Sequence, residues 1–416
     1  MSGTRSDSRT FTARWVFPVS GAPIANGTIT IRGEVIESVD AHGVRTPDED
    51  LDNAAIVPGF VNPHTHLDLS GARGLIPPTD PDHFTDWLRG VIAYRRSRTF
   101  EQTQADIRTG LAECLKFGTT LIGDIASDGA SWDAVAEAPL RSWVFFELIG
   151  LDERKLVSAG RRTGRLVGWA FDSPRPPVVC GPDTSQTKWG LSPHAPYSVN
   201  GRIARHMLSG VIPTATHVAE TPQECDLLES NSGPFVDFLT ELGVYQPDVF
   251  VNSWTQYLAP WNEASSEIIA NSLVIHANYL PPDFRFRSYQ SIVYCPRTHA
   301  AFGHPTHPFR EFLQRGVRVC LGTDSLASNP DLDILAEARF VHAKYPDFPG
   351  DTLLKMITLS GAEALGWANE SGSLEPGKSA DFVVVPLPDR EASDPHELLF
   401  ADHAADRRTM FRGQWR

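Results

Sequence analysis

A (β/α)₈ TIM-like barrel with a small β-sandwich domain formed from both chain termini is the fold class this sequence predicts, and three observations predict it. Eight short apolar runs alternate with longer amphipathic stretches in the middle of the chain. Histidine, arginine or aspartate follows most of these runs at the C-terminal end. Strand-and-turn texture occupies both termini.

The apolar runs are Ile56–Asn62, Thr120–Asp124, Trp143–Ile149, Trp189–Ser192, Thr214–Thr216, Leu273–Ile275, Ser291–Tyr294 and Val317–Gly322. Strands buried on both faces read as near-continuous apolar segments, so repeated βα units around a parallel sheet are expected. His64 and His66 follow the first run, His194 the fourth, His217 the fifth, His276 the sixth, Arg297 and His299 the seventh, and Asp324 the eighth. A closed barrel places its chemistry at the C-terminal strand ends, whereas an open doubly wound sheet needs no such repeated punctuation. At the termini, Ala13 to Phe17, Thr28 to Ile31 and Val35 to Val39 read as strands, and Ala380 to Val385 follows a turn at Gly372–Lys378. These segments are expected to pair, which divides the chain into a terminal β part (1–55 with 368–416) and a barrel (56–367).

Composition narrows the function classes. A chain of 416 residues, 41% hydrophobic and 21% charged, buries a substantial core. Its 37 basic and 51 acidic residues leave a net charge of −14, which disfavours nucleic acid and anionic membrane as partners. Five scattered cysteines without a CxxC pair indicate neither a disulfide framework nor a thiolate zinc cluster. The polar start and the lack of a long apolar stretch make a cytoplasmic location the expectation.

The polar residues after the runs form a chemical set. In extended chain His64 and His66 point to one side, so both imidazoles can face a single ion. His217 adds a third imidazole, Glu220 a carboxylate three residues on, and Asp324 a hard oxygen ligand. Singly, each has a structural reading: a turn pair, a hydrogen-bonded core histidine, a helix-opening glutamate, a capping aspartate. Together they suit zinc or ferrous iron with one position left for water, whose pKa such an ion draws down toward roughly 7. His276 lies between these strand ends and is placed to hydrogen-bond that water.

The strings Val57-Pro58-Gly59-Phe60-Val61-Asn62-Pro63-His64-Thr65-His66, Ser192-Pro193-His194-Ala195-Pro196-Tyr197-Ser198, His217-Val218-Ala219-Glu220-Thr221, Cys295-Pro296-Arg297 and Leu321-Gly322-Thr323-Asp324-Ser325-Leu326-Ala327-Ser328-Asn329 resemble the amidohydrolase superfamily. The tail Gly372-Ser373-Leu374-Glu375-Pro376-Gly377-Lys378-Ser379-Ala380-Asp381 extends the likeness over nearly the whole chain. It is closest to the deaminase and chlorohydrolase branch, which includes S-adenosylhomocysteine, adenosine-type and aminodeoxyfutalosine deaminases, guanine deaminase and triazine hydrolases. The resemblance implies one metal, zinc in preference to iron, on His64, His66, His217 and Asp324. It further implies Glu220, His276 and Asp324 as catalytic residues and His194 as a substrate contact. Binuclear relatives carry a carboxylated lysine near the fourth strand; here only Lys188 precedes His194, so one ion is expected.

The implied reaction is deamination of a purine- or nucleoside-related heterocycle by metal-bound hydroxide, releasing ammonia. Chlorohydrolase or cyclic-amide hydrolase action on the same fold is the alternative, and a catalytically silent scaffold is the remoter one. Trp87 lies where relatives line the pocket and is a candidate for stacking on the substrate, or a core residue of an amphipathic helix. Cys295-Pro296-Arg297-Thr298-His299 departs from the family's Cys-Pro-x-Ser-Asn. Arg297 there is a candidate for a substrate carboxylate, with a structural ion pair as the equal alternative. The aromatic stretch Phe235, Phe238, Tyr245, Phe250, Trp254, Tyr257 and Trp261 reads as a lid or oligomer contact, or as extra core. His299, His304 and His307 are expected to be solvated or hydrogen-bonded, not a second metal site. A homodimer is the expected assembly by resemblance.

Overall fold

The computed structural model describes residues 8–152, 186–208, 212–259, 270–403 and 405–416. Eight strands form its central sheet: β1 (Phe60–Thr65), β2 (Thr119–Ala126), β3 (Arg141–Leu148), β4 (Thr187–Pro193), β5 (Thr214–Val218), β6 (Ser272–His276), β7 (Gln290–Tyr294) and β8 (Arg318–Leu321). They lie in chain order, and every neighbouring pair is parallel. Thr65 and Asp324 bridge the first strand to the segment after the last, so the sheet nearly closes into a (β/α)₈ barrel. Asn62 fastens that seam: its side-chain amide donates to Thr323 Oγ1 at 2.8 Å, and its oxygen accepts the Thr323 backbone N–H at 3.2 Å.

Side chains alternate along these strands with period two. Leu121, Ile125, Phe145, Leu273, Ile275, Val293 and Cys320 share one inner cluster, which Trp367 and Leu365 complete. Ile122, Val144, Phe146, Val274, Ile292 and Val319 belong to the larger cluster outside it. His217 has the parity of the inward Ala215, which aims its ring into the barrel.

The apolar run expected as one strand over Ile56–Asn62 is two strands. Residues Ala54–Pro58 pair antiparallel with Phe382–Pro386 in a terminal sheet, and the barrel strand starts only at Phe60. Gly59 marks the break, because a Cβ there would collide with the side chain of Thr120. The six-stranded terminal sheet also contains Trp15–Val16, Ile24–Ala25, Arg408–Phe411 and Gln414–Trp415. A four-stranded sheet formed by Ser8–Thr12, Thr28–Arg32, Val35–Asp40 and Glu49–Asp50 faces it. Phe11, Ile29, Ile31, Ile56, Phe382 and Met410 fill the space between the two sheets.

A separate apolar cluster covers the C-terminal mouth of the barrel. The helix Phe84–Ser97 contributes Phe84, Trp87, Leu88, Val91 and Tyr94 at helical spacing. Phe235 and Phe238 of the helix Pro234–Glu241 meet it there, with Phe235 stacked 4.3 Å from the Tyr197 ring. Tyr245 and Phe250 pack on this cap, whereas Trp254 and Tyr257 belong to the main core. The aromatic stretch is thus partly cap and partly core; Trp261 lies outside the described residues. Cys114, Cys225, Cys295 and Cys320 are unbridged, and Cys180 lies outside the described residues. No helix among the described residues is long and apolar enough to cross a membrane.

Candidate metal centre and active site

Four strand ends bring the histidines together. A register shift between Asn62 and Thr65 at the end of β1 allows His64 and His66 to reach the same space. Their rings lie 5.0 Å apart, and His64 is also 5.0 Å from His217 and 5.8 Å from His276. Asp324 Oδ1 stands 3.4 Å from His64 Nε2 and 3.8 Å from His66 Nε2. Ligand atoms of His64, His66 and Asp324 lie within 4.8 Å of one another, as do those of His64, His217 and His276. All five side chains are buried.

The unsatisfied nitrogens of this cluster fit a cation. Among the described residues, both ring nitrogens of His64 and Nδ1 of His66 are buried without a hydrogen-bond partner, a costly arrangement for buried polar atoms. His217 donates through Nδ1 to the His194 carbonyl at 2.9 Å, which leaves its Nε2 as a lone pair, 3.2 Å from His66 Nε2. Nitrogen lone pairs with an adjacent carboxylate form the donor set that zinc and ferrous iron take.

Burial sets the protonation states. It holds His66, His217 and His276 well below the usual imidazole range, so they are neutral and able to ligate or accept. Burial alone would raise Asp324, but its contact with His64, then His276 and the Ser328 hydroxyl at 3.0 Å, holds it below the ordinary carboxylate value. Glu220 moves the opposite way: burial, then the charges of Asp324 and Glu224, push it well above the carboxylate range. Its Oε1 lies 3.4 Å from His276 Nε2. Two carboxylates with opposed proton preferences thus flank one cluster, the condition for acid–base work.

Backbone strain accompanies the site. His276, Asp324 and Ala219 adopt left-handed φ values of 68°, 61° and 50°, which ordinary residues keep only where their surroundings enforce them. His307 donates to the His276 carbonyl at 2.7 Å, and Glu224 accepts the Glu220 N–H at 2.9 Å. Asp124, pushed up to about 7 by burial, accepts the Leu67 N–H at 2.9 Å and the Thr65 hydroxyl at 3.1 Å, bracing the His64–His66 segment. Sequence reasoning missed Asn62, Asp124, Glu224 and Ser328. A carboxylate closing the second strand and another four residues beyond Glu220 were the available signals.

The substrate candidates fare differently. His194 belongs to the cluster, its ring 4.6 Å from His217. Trp87 is 8% exposed and belongs to the cap cluster, with Phe84 tilted against it at 5.4 Å and Phe302 at right angles to it at 5.2 Å. Arg297 takes part in the ion pair that was its alternative reading. Its guanidinium is engaged by Glu337 at 2.7 Å, by both oxygens of Asp331 at 2.6 and 3.0 Å, and by the carbonyls of Asp331 and Asp333. These contacts take up Nε, Nη2 and one N–H of Nη1 and tie the fork to the segment after β8. Of the three loop histidines, His304 and His307 are hydrogen-bonded as expected, to the Tyr279 hydroxyl at 3.0 Å and the His276 carbonyl at 2.7 Å, whereas neither nitrogen of the buried His299 has a partner among the described residues. Lys188 sits at the start of β4, its ammonium 3.8 Å from the Trp367 ring, a strand's length from His194.

The amidohydrolase family model matches residues 55–415. A 5-methylthioadenosine/S-adenosylhomocysteine deaminase of Moorella thermoacetica is 27% identical over 94% of this chain and 89% of its own. Among solved structures, a zinc-bound adenosine deaminase from Xanthomonas campestris superposes with a TM-score of 0.73 at 22% identity, over 98% of this chain and 92% of that one. The zinc complex of an atrazine chlorohydrolase from Arthrobacter aurescens superposes with a TM-score of 0.71 at 20% identity, covering 97% and 94%. These likenesses establish the fold independently of the site.

Proposed function

We propose, for a chain that belongs to the amidohydrolase family, a metal-dependent aminohydrolase activity that removes an exocyclic amino group from a purine- or nucleoside-related heterocycle and releases ammonia. The observation that carries this reading is the convergence of His64, His66, His217 and Asp324 next to Glu220, whose carboxyl burial pushes up and whose Oε1 lies 3.4 Å from His276 Nε2. Likeness to a deaminase of adenosine-derived compounds over nearly the full length supports the substrate class.

His64, His66, His217 and Asp324 would hold a single divalent ion, zinc in preference to ferrous iron. Nitrogen-rich coordination with one carboxylate favours that choice, and the distance of Lys188 from the cluster argues against a second ion bridged by a modified lysine. When bound, such an ion supplies the Lewis acidity that brings deprotonation of a water within reach of neutral pH.

Every proton of the reaction has a place among this chain's own residues. Asp324, held ionised, takes the proton of the attacking water, and neutral His276 orients that water by a hydrogen bond. Glu220 gives its proton to the ring nitrogen beside the amino-bearing carbon. Now a carboxylate, it takes the proton of the newly added hydroxyl and passes it to the departing amine, and the proton left on Asp324 restores Glu220 after product release. His194 contacts the substrate on the β4 side. The substrate is a small molecule and the working compartment the cytoplasm.

An ammonia-release screen over aminopurines, adenine nucleosides, S-adenosylhomocysteine, aminodeoxyfutalosine, guanine, cytosine and aminotriazines tests the reading, with chloride release followed on chlorinated triazines. Ammonia from at least one purine-type compound is expected. Total inactivity of metal-loaded protein, or chloride release alone, would count against deamination.

A further inference from the structure

The loop between the helices Pro296–Ala301 and Phe309–Gln314 grips the turn that carries His276. In His304-Pro305-Thr306-His307-Pro308 each histidine precedes a proline, which restricts its backbone to extended conformations and stiffens the loop. His307 is 1% exposed, and its ring stacks 4.1 Å from that of Tyr294 at the end of β7. Its Nε2 lies 2.7 Å from the His276 carbonyl oxygen. A carbonyl only accepts, so this nitrogen carries the proton and donates. His304 holds the same turn at Tyr279, whose hydroxyl lies 3.0 Å from His304 Nδ1.

The turn needs such a hold. His276 and Ala277 have left-handed φ values of 68° and 58°, which residues with side chains keep only where their surroundings impose them. The ladder between β6 and β7 has already ended, its last pair being Ile275 and Val293. His307 therefore reaches the His276 carbonyl just where the sheet on that side ceases to fix the backbone. On its other side the turn leans on β5. The Ala277 N–H donates to the Val218 carbonyl at 2.9 Å, the Tyr279 N–H to the Ala219 carbonyl at 3.1 Å, and the Asn278 amide to the Glu220 carbonyl at 3.0 Å. One turn thus aims the His276 ring and braces the backbone of Glu220, whose Oε1 stands 3.4 Å from His276 Nε2.

We infer that His307 is a positioning residue, which acts through the His276 carbonyl to keep the 276–279 turn, and with it the His276 ring, in register with Glu220. The inference rests on the aminohydrolase reading for what His276 does, but its own content is the placement of that ring. A misplacement of about 1 Å at a reacting group costs on the order of 10²-fold in rate, so one buried hydrogen bond behind His276 has leverage on turnover.

Two substitutions test it. His307→Phe keeps an aromatic ring against Tyr294 and removes the donor, whereas His307→Gln puts an amide N–H close to where Nε2 stood. With metal-loaded protein and the purine compound that gives most ammonia in the screen above, kcat of the Phe variant should fall about 10–100-fold with KM changed less than about 2-fold. The Gln variant should recover most of that loss. Crystals of the metal-loaded Phe variant should show the His276 ring displaced, and those of the Gln variant should show it restored. His307→Leu takes the place of the Phe variant if that protein does not fold. A folded donor-less variant with wild-type kcat, a Gln variant as slow as it, or a His276 ring unmoved in its crystals overturns the inference. His276→Ala, assayed alongside, reports separately on the reaction scheme. Wild-type kcat in that variant overturns the role given to His276, while the crystals still decide whether His307 sets the ring.

Discussion

Replacing Arg297 by methionine separates the two roles a sequence reader can give this arginine. Its partner Glu337 has a side chain at 0% exposure, and burial already raises that carboxyl before the guanidinium pulls it back. Removing one member of a buried ion pair costs about 3–5 kcal/mol, because the remaining charge is left uncompensated. The Asn329 amide at 2.6 Å and the backbone N–H of residue 297 at 2.9 Å still donate to Glu337, which places the expected loss near the lower end, about 3 kcal/mol. With an unfolding entropy of about 2.1 cal/mol/K per residue over 416 residues, 1 kcal/mol is worth about 1 °C, and the melting temperature should fall by about 3 °C. Differential scanning fluorimetry on the metal-loaded protein reads this, and a second substitution, Glu337→Gln, should restore part of it. Activity should also drop, since Asn329 links Glu337 to the Thr323 carbonyl at 2.6 Å, next to Asp324. A melting temperature within about 1 °C of wild type, with KM raised only for carboxylate-bearing substrates, would refute the ion-pair account.

Further outcomes follow from the same geometry. Glu220→Gln should retain its metal by elemental analysis while kcat falls roughly 10²–10⁴-fold, the range for a lost proton carrier. Glu224 is pushed up to about 8 in the folded protein from an ordinary value of 4.5, so its contribution is fully present below about pH 4.5 and is lost as pH rises through about 8. Glu224→Gln should therefore flatten the decline of melting temperature between those values, and an unchanged slope would exclude Glu224 as its source. Asn62→Ala removes both side-chain hydrogen bonds across the barrel seam; a loss of about 1–3 kcal/mol in denaturant unfolding and weaker metal retention on dialysis are expected. Chelation should lower the melting temperature, and added zinc should restore it, by about 2.7 kcal/mol at a hundredfold excess over Kd.

The barrel was legible because strands buried on both faces need continuous apolar runs, and because strand ends are where polar side chains can share a space. Seven runs correspond to barrel strands and the first overlaps one, and His64, His66, His217, His276 and Asp324 converge after those runs. The split at Gly59 was not legible, since Val57-Pro58-Gly59-Phe60 is apolar on both sides and only the pairing of Ala54–Pro58 with Phe382–Pro386 divides it. Arg297 and Trp87 show a different limit. An arginine that binds a substrate and one that closes a buried ion pair look alike locally; the deciding partners, Asp331 and Glu337, lie more than thirty residues onward. Trp87 has the same helical spacing whether its ring faces a ligand or, as here, Phe84 and Phe302.

Anomalous diffraction at the zinc edge, with elemental analysis of the same crystals, measures the central claim directly. One divalent ion per chain is predicted, with His64, His66, His217 and Asp324 at roughly 2.0–2.2 Å. A chain that retains no metal after saturation and gel filtration, or whose ion sits away from these four side chains, would contradict the account.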